Sequence, residues 1–253
     1  MELYELWKPL MRDGTASFWQ EFYVKFYQAF IEGSRWKQYL NGVGTTLLVT
    51  AMALTLGILL GIVVAVIRTA HDQQRTGHKN PILGLFNGIC KVYVTVIRGT
   101  PVVVQLLISF FIVFTWAKDG TWVATITFGI NSGAYVAEVI RSGIMAIDRG
   151  QMEAGRSLGL TQYMTMKEII LPQAFKNILP AIGNEMIALL KETSVAGYVA
   201  VVDLTKAGNQ IKNTTYDQTN PILLVALVYL LIVILMTKLL GIMERRLRKS
   251  DNR

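Results

Sequence analysis

Residues 153–172 read EAGRSLGLTQYMTMKEIILP, a polar stretch set between long apolar segments. Its pattern is helix, break, helix. The spacing predicts a first helix over residues 148–158, interrupted by Gly159, because a glycine at a helix end accepts the left-handed conformation that closes it. Thr161 is the expected N-cap of a second helix, its hydroxyl accepting from a backbone N–H two or three residues on. In that helix Tyr163, Met166, Lys167 and Ile170 lie three and four apart, on one side. Pro172 is expected to end it, since the residue before a proline resists the α conformation. Between Arg141 and Lys176 the chain carries Arg141, Arg149, Arg156, Lys167 and Lys176 against Asp148, Glu153 and Glu168. That density of charge does not belong in lipid. The stretch is an elbow of two short helices presented to something outside a bilayer.

Glu153, Ala154, Gly159, Ile169, Leu171 and Pro172 fall at fixed spacings, with the glycine six residues and the proline nineteen residues after the glutamate. In this the elbow resembles the Glu-Ala-Ala loop of the membrane-spanning subunits of bacterial ATP-binding-cassette (ABC) importers. Gly155 stands where that loop has its second alanine, a change expected to loosen the helix slightly. By the resemblance, Glu153, Ala154, Gly155, Gly159 and Leu160 meet the ATP-binding subunit. The fold implied is an all-α integral membrane protein with a cytoplasmic coupling elbow over residues 148–172.

Composition agrees independently. With 52% hydrophobic residues, 17% charged residues and a mean hydropathy of +0.40, the chain is greasier than a typical soluble domain. A single cysteine, Cys90, excludes an internal disulfide framework, and no Cys/His cluster has metal-ligand spacing. A net charge of +8 would suggest nucleic acid in a soluble protein. Here no nucleic acid is expected, because the basic residues sit in loops suited to anionic lipid.

Outward from the elbow the chain divides into three parts: an extension over 1–42, a membrane domain over 43–243 and a basic tail over 244–253. No cleaved leader is expected in the extension. Its Phe18, Phe22, Phe26 and Phe30 recur every fourth residue beside Trp19, Tyr23 and Tyr27, a helix suited either to the headgroup region or to the core of a small soluble extension. Val43–Ile67 is the first expected span, twenty-five residues without a charge. Gly57 and Gly61 give it a small-residue face that names no partner. Arg68, Arg75 and Lys79 follow against Asp72, so that loop is expected inside and the N-terminus outside. Residues 82–97 read as a helix entering from the cytoplasmic boundary and 101–117 as the second span. Lys118, Asp119 and Gly120 make an external turn. The third span covers 121–147, the fourth 175–202 and the fifth 221–243, with 203–220 as an external loop. The stretch 141–176 and the tail carry five Lys or Arg each, while the outer turn and loop carry three between them. About five spans therefore leave the C-terminus inside, which by the resemblance is the cytoplasm of a bacterial cell whose inner membrane holds the chain.

The dipeptide Gly-Lys is absent, so the phosphate-cradling P-loop is absent. His71 and His78 lie in a basic loop and suit solvent. The chain is not expected to be an enzyme. The polar residues that lipid would not tolerate lie elsewhere. Asn131, Tyr135 and Glu138 are spaced i, i+4, i+7, with Ser132 beside them and Ser142 continuing the stripe. Glu185 and Glu192 are seven apart on one face, and Lys191 points about 100° away. Such groups either line a wet pathway or hold helices together.

Further runs extend the resemblance. Arg98-Gly99-Thr100-Pro101, Asn131-Ser132-Gly133-Ala134-Tyr135 with Glu138, and Leu190-Lys191-Glu192-Thr193-Ser194 are similar to signatures of the polar amino-acid branch of these importers. The resemblance implies a permease subunit for polar amino acids, with Asn131, Ser132, Tyr135, Glu138, Glu185, Lys191, Glu192 and Thr193 along the route. It implies a second permease subunit, identical or paralogous, an external amino-acid-binding protein, and partner subunits that bind ATP and magnesium. No cofactor is expected in this chain. A secondary transporter and a membrane anchor without transport activity remain the other readings. Inverted repeats would mark the former, and the latter has no need for the polar stripe.

Overall fold

The computed structural model describes residues 2–74 and 80–249, mostly helical with short connections. Arg75, His78 and Lys79 of the loop expected inside and Arg253 of the tail lie outside the described residues, as do the side chains of Arg248 and Lys249. Helices α1 (Glu2–Arg12) and α2 (Phe18–Phe30) form a hairpin, followed by α3 (Trp36–Asp72) and α4 (Pro81–Gly99). Then come α5 (Val102–Ile108), α6 (Gly120–Met145), α7 (Arg149–Ser157), α8 (Gln162–Thr165), α9 (Leu171–Glu192), α10 (Leu204–Thr215) and α11 (Asn220–Lys249).

The molecule is built on the pair α3 and α6. Small residues on α6 let the two backbones come together, which is how helices associate where lipid removes the hydrophobic drive. A Cβ placed on Gly57 would lie 2.9 Å from Ser132 Cβ, and one on Gly61 would lie 2.6 Å from Val136 Cγ1. Gly129 and Gly133 return the fit under Leu56 and Leu60. The small-residue face of the first span thus has a definite partner. Around this pair Val49, Ala53, Leu106, Ala124, Phe128, Leu189, Ala196 and Val199 form the largest core cluster. Helix α11 contributes little to it and exposes Leu223, Leu227, Leu230, Leu231 and Leu235, the surface of a lipid-facing span.

Among the described residues four stretches are long and apolar enough to cross a membrane: Glu32–Asp72, Pro81–Gly99, Gly120–Met145 and Asn220–Leu247. Helix α9 has comparable length but carries Lys176, Glu185, Lys191 and Glu192, which lower its hydropathy. With it the helices of spanning length among the described residues number about five, as the sequence predicts.

Several boundaries differ from expectation. The first helix extends past Val43–Ile67 at both ends. Residues 101–117 are not a full span: α5 and a π turn over Ser109–Val113 are short, and α4 is the helix of spanning length in that region. The segment 203–220 is not merely a loop, since α10 occupies most of it. Asp203 starts that helix by accepting from the N–H groups of Thr205 and Lys206 at 3.2 and 3.0 Å. Burial pushes the Asp203 carboxyl above its ordinary value despite those donors.

Pro172 does not end the second elbow helix. Helix α8 passes through a π turn over Met166–Ile170 directly into α9, with Leu171 in the α conformation and Pro172 in the first turn of α9. A π turn bonds five residues apart, so it absorbs the N–H that proline lacks. The same turn rotates the register. Tyr163 and Lys167 are exposed while Ile170 is buried, so the four residues read as one face are divided.

In the N-terminal hairpin Tyr4 stacks on Tyr27 with ring centroids 4.2 Å apart, and its hydroxyl donates to Glu32 Oε1 at 2.7 Å. Phe18, Trp19 and Phe22 stay exposed.

Candidate functional site

The elbow closes as its residues dictate. Asp148 accepts from the Gly150 N–H at 2.6 Å and starts α7. At the other end Gly159 adopts φ +84°, where a side chain would be strained. Its N–H reaches Arg156 O at 3.0 Å, and the Leu160 N–H reaches Gly155 O at 3.1 Å. Thr161 Oγ1 then accepts from the Met164 N–H at 3.2 Å, the cap its position predicts. Gly155 is buried, and its role is packing rather than looseness. A Cβ there would sit 2.5 Å from Thr165 Cγ2 and 3.2 Å from Ile169 Cδ1, so the missing side chain lets α7 lie against the second helix.

The elbow is tied to the bundle from beneath. Arg141 pairs with Asp72 at 3.0 Å, and Gln162 donates to Gln73 Oε1 at 3.2 Å, joining α6 and α8 to the end of α3. A cavity of about 450 Å³ remains between them, lined in part by Thr69, Arg141, Met152, Arg156 and Met166. Outward the elbow presents Glu153, Ala154, Leu158 and Tyr163, with Leu158 82% and Tyr163 75% exposed. Leu158, which the sequence reading did not single out, is the most exposed apolar side chain of the elbow. An apolar side chain directly before the breaking glycine was the available signal.

The second cluster lies where α3, α4, α6 and α9 approach one another. Glu138 is held by Arg68, and its other oxygen lies 3.9 Å from Arg98. The Arg98 guanidinium lies 5.1 Å from the centre of the Tyr135 ring, within cation–π range. Ser132 Oγ donates to Glu185 Oε1 at 3.1 Å. Asn131 is buried and donates to Gln105 Oε1 at 3.0 Å. Gln105 also bonds Ile97 O and Thr100 O at 2.7 and 3.0 Å, which staples the chain across the Gly99-Thr100-Pro101 break.

Not every residue of the expected route gathers there. Thr193 is fully buried, donates to Leu190 O at 2.7 Å and lies 3.5 Å from Thr50 Oγ1, a helix-to-helix contact. Glu192 is half-buried, while Lys191 is exposed. Arg68, Arg98 and Gln105 are partners the polar stripe did not include. Arg98 belongs to the Arg98-Gly99-Thr100-Pro101 run that the resemblance singles out, whereas Arg68 and Gln105 acquire their place only from the packing of α3 and α5.

A multi-helix membrane protein with a capped, outward-facing elbow and a set of half-buried ionic groups is the class this geometry defines. The model of the binding-protein-dependent transport system inner membrane component matches residues 82–249, and the chain belongs to that family. It is the multi-pass permease component of an ABC transporter, integral to the inner membrane, and ATP is bound by partner subunits. The chain is 35% identical over 215 residues to the arginine transport system permease protein ArtQ of Bacillus subtilis, covering 84% of this chain and 93% of that protein. It is 32% identical to the L-cystine transport system permease protein TcyB of Bacillus subtilis, covering 94% and 95%. To the glutamine transport system permease protein GlnP of Escherichia coli it is 32% identical, covering 83% and 92%. Among solved structures it resembles an amino acid ABC transporter crystallised with histidines, at 37% identity and a TM-score of 0.75, covering 83% of this chain and 94% of that one. The inward-facing MetNI methionine ABC transporter shares the fold, with a TM-score of 0.72 at 20% identity. The secondary-transporter and anchor readings give way to this membership.

Proposed function

We propose that this permease carries polar amino acids inward after an external binding protein delivers them. What carries the reading is that relatives named for arginine, cystine and glutamine transport align with it over more than nine-tenths of their length. The route runs past Asn131, Ser132, Tyr135, Glu138 and Glu185, with Lys191 and Glu192 continuing it toward the outer end of α9, while the buried Thr193 holds α9 to α3 beside it. Two permease subunits, identical or paralogous, enclose that route. On the inside Glu153, Ala154, Gly155, Gly159 and Leu160 seat the elbow in a groove of an ATP-binding subunit. The N-terminus lies outside, where the α1–α2 hairpin rests at the headgroup level, and the basic tail lies in the cytoplasm. The charge bias of the loops supports that orientation.

The test is reconstitution of the complex in vesicles with a loaded binding protein. An ATP-binding subunit should co-purify, its ATPase should rise with the loaded binding protein, and labelled arginine, glutamine or cystine should accumulate. Accumulation of none of the three, with ATPase stimulated by another class of solute, would reject the assigned substrate class.

A further inference from the structure

Beneath the elbow, the cavity of about 450 Å³ is walled by the last turns of two spans, α3 and α6, and by one face of α7. Arg149, Met152 and Arg156 line it at i, i+3 and i+7, which puts them on a single side of that helix. Ala154 and Leu158 lie on the opposite side. The face offered outward and the face turned to the bundle are therefore different.

Three guanidinium groups and two carboxylates line the cavity. Asp72 pairs with Arg141 at 3.0 Å, and Asp148 caps α7 through the Gly150 N–H at 2.6 Å. Neither Arg149 nor Arg156 forms an ion pair among the described residues, and both are exposed. Thr69, on the α3 wall, carries a buried hydroxyl without a hydrogen-bond partner among the described residues. Net positive charge and unused donors thus remain. The rest of the wall is apolar, with Ile144, Ile147, Met166 and Ile170 beside Met152. Positive charge over an apolar wall, at the level where two spans leave the membrane, matches an amphiphile with an anionic head. A free phosphate would use the arginines and leave the apolar wall wet.

We propose that this cavity receives the phosphodiester of an anionic phospholipid from the adjoining leaflet, held by Arg149 and Arg156, and that the lipid braces the elbow against the ends of α3 and α6. This rests on the reading that the elbow lies at the inner membrane surface beside an ATP-binding subunit, and it adds a lipid to the elbow's partners. A guanidinium meets two phosphate oxygens with parallel N–H donors. The glycerol and first methylenes lie along the methionines. Movement of the elbow then depends on the charge of the leaflet.

The experiment uses the full complex in phosphatidylcholine vesicles, with and without phosphatidylglycerol, and native mass spectrometry of the lipid that stays bound on extraction. Phosphatidylglycerol should remain on the unsubstituted complex and raise its ATPase. Each basic residue at an anionic surface contributes about a factor of five, so Arg149→Gln/Arg156→Gln should retain on the order of twentyfold less. Its ATPase in pure phosphatidylcholine should match the parent, and the stimulation by phosphatidylglycerol should vanish. Arg245→Gln/Arg246→Gln removes the same charge from the tail and should keep both lipid and stimulation. Equal losses in the two variants would overturn the site, as would undiminished lipid on Arg149→Gln/Arg156→Gln. Stimulation by inorganic phosphate in pure phosphatidylcholine, lost in that variant, would make this a free-anion site and overturn the lipid assignment. Loss of ATP-binding subunit from the variant in pure phosphatidylcholine would mean that the arginines contact that subunit, with the same result. If the variant does not assemble, a photoactivatable phosphatidylglycerol should label residues 141–170 of the unsubstituted complex, and labelling only elsewhere overturns the assignment. Absence of an ATP-binding subunit from the unsubstituted complex would instead count against the reading of the elbow itself.

Discussion

At the scale of residues, the consequential contact is Arg68 to Glu138. From sequence, Glu138→Gln is expected to leave assembly intact, because a neutral amide costs less in lipid than the charge it replaces. The structure reverses that expectation. Removing the carboxylate leaves Arg68 unpaired with its side chain 12% exposed, and breaking such a pair is costly even where its net contribution is small. The loss should be on the order of 2 kcal/mol, below the value for a fully buried pair because Glu138 retains some solvent contact. Thermal unfolding of the detergent-purified complex measures it. The double variant Arg68→Gln/Glu138→Gln should recover most of the lost stability, since it removes the orphaned cation. A single variant as stable as the parent would mean that Arg68 finds Asp72 or solvent instead.

At the scale of elements, two glycines hold the elbow for different reasons, and substitutions separate them. Gly159 has φ +84° and nothing within 4 Å of its virtual Cβ, so its constraint is backbone conformation alone. Gly155 has ordinary helical dihedrals, but a Cβ there would strike Thr165, which is fully buried. Asparagine tolerates the left-handed region, so Gly159→Asn should keep the elbow and its partner. Gly155→Asn should lever α7 away from the second helix and reduce co-purifying ATP-binding subunit severalfold. Valine fails at both positions, by strain at Gly159 and by collision at Gly155. Recovery of equal partner from Gly155→Asn and Gly159→Asn would show that the elbow tolerates a changed angle.

At the scale of the whole molecule, two exposed positions report its orientation in the membrane. Ser157 lies on the elbow and Gln210 on α10, both exposed. In a background with the buried Cys90 replaced by alanine, cysteines at these two positions should react with an impermeant maleimide from opposite sides. Ser157→Cys should label only after the membrane is opened, and Gln210→Cys in intact cells. Labelling of both from one side would reject the five-helix arrangement with an external α10. The buried centre of this arrangement is α6, most of whose apolar stretch is buried, whereas that of α11 is almost entirely uncovered. That contrast explains why polar residues gather on α6 while α11 is almost wholly aliphatic.

Much of this was readable from the chain because local physics decides it. The elbow's caps at Asp148 and Thr161 and its glycine break follow from side chains a few residues from the atoms they serve. The number of helices follows from runs of apolar residues, and the absence of a P-loop from the chain itself. The rest depended on residues far apart. Pro172 reads as a helix stop, yet a π turn and the packing of α9 carry the helix through it. The segment around α10 reads as a loop because its composition is polar, and it is helical because Asp203 caps it while Leu204 and Ile211 bury against α3 and α11. Gly57 and Gly61 announce a close approach without saying to what, and only α6 supplies the answer. Glu138 reads as part of the α6 polar stripe and Arg98 as part of the Arg98-Gly99-Thr100-Pro101 run, with nothing in the sequence to join them. Their pairing joins α6 to α3 and α4 across separations of 70 and 40 residues, as the positions of Arg68, Arg98 and Glu138 show. Partners that distant are chosen by the cost of leaving a charge bare, which only the assembled fold can settle.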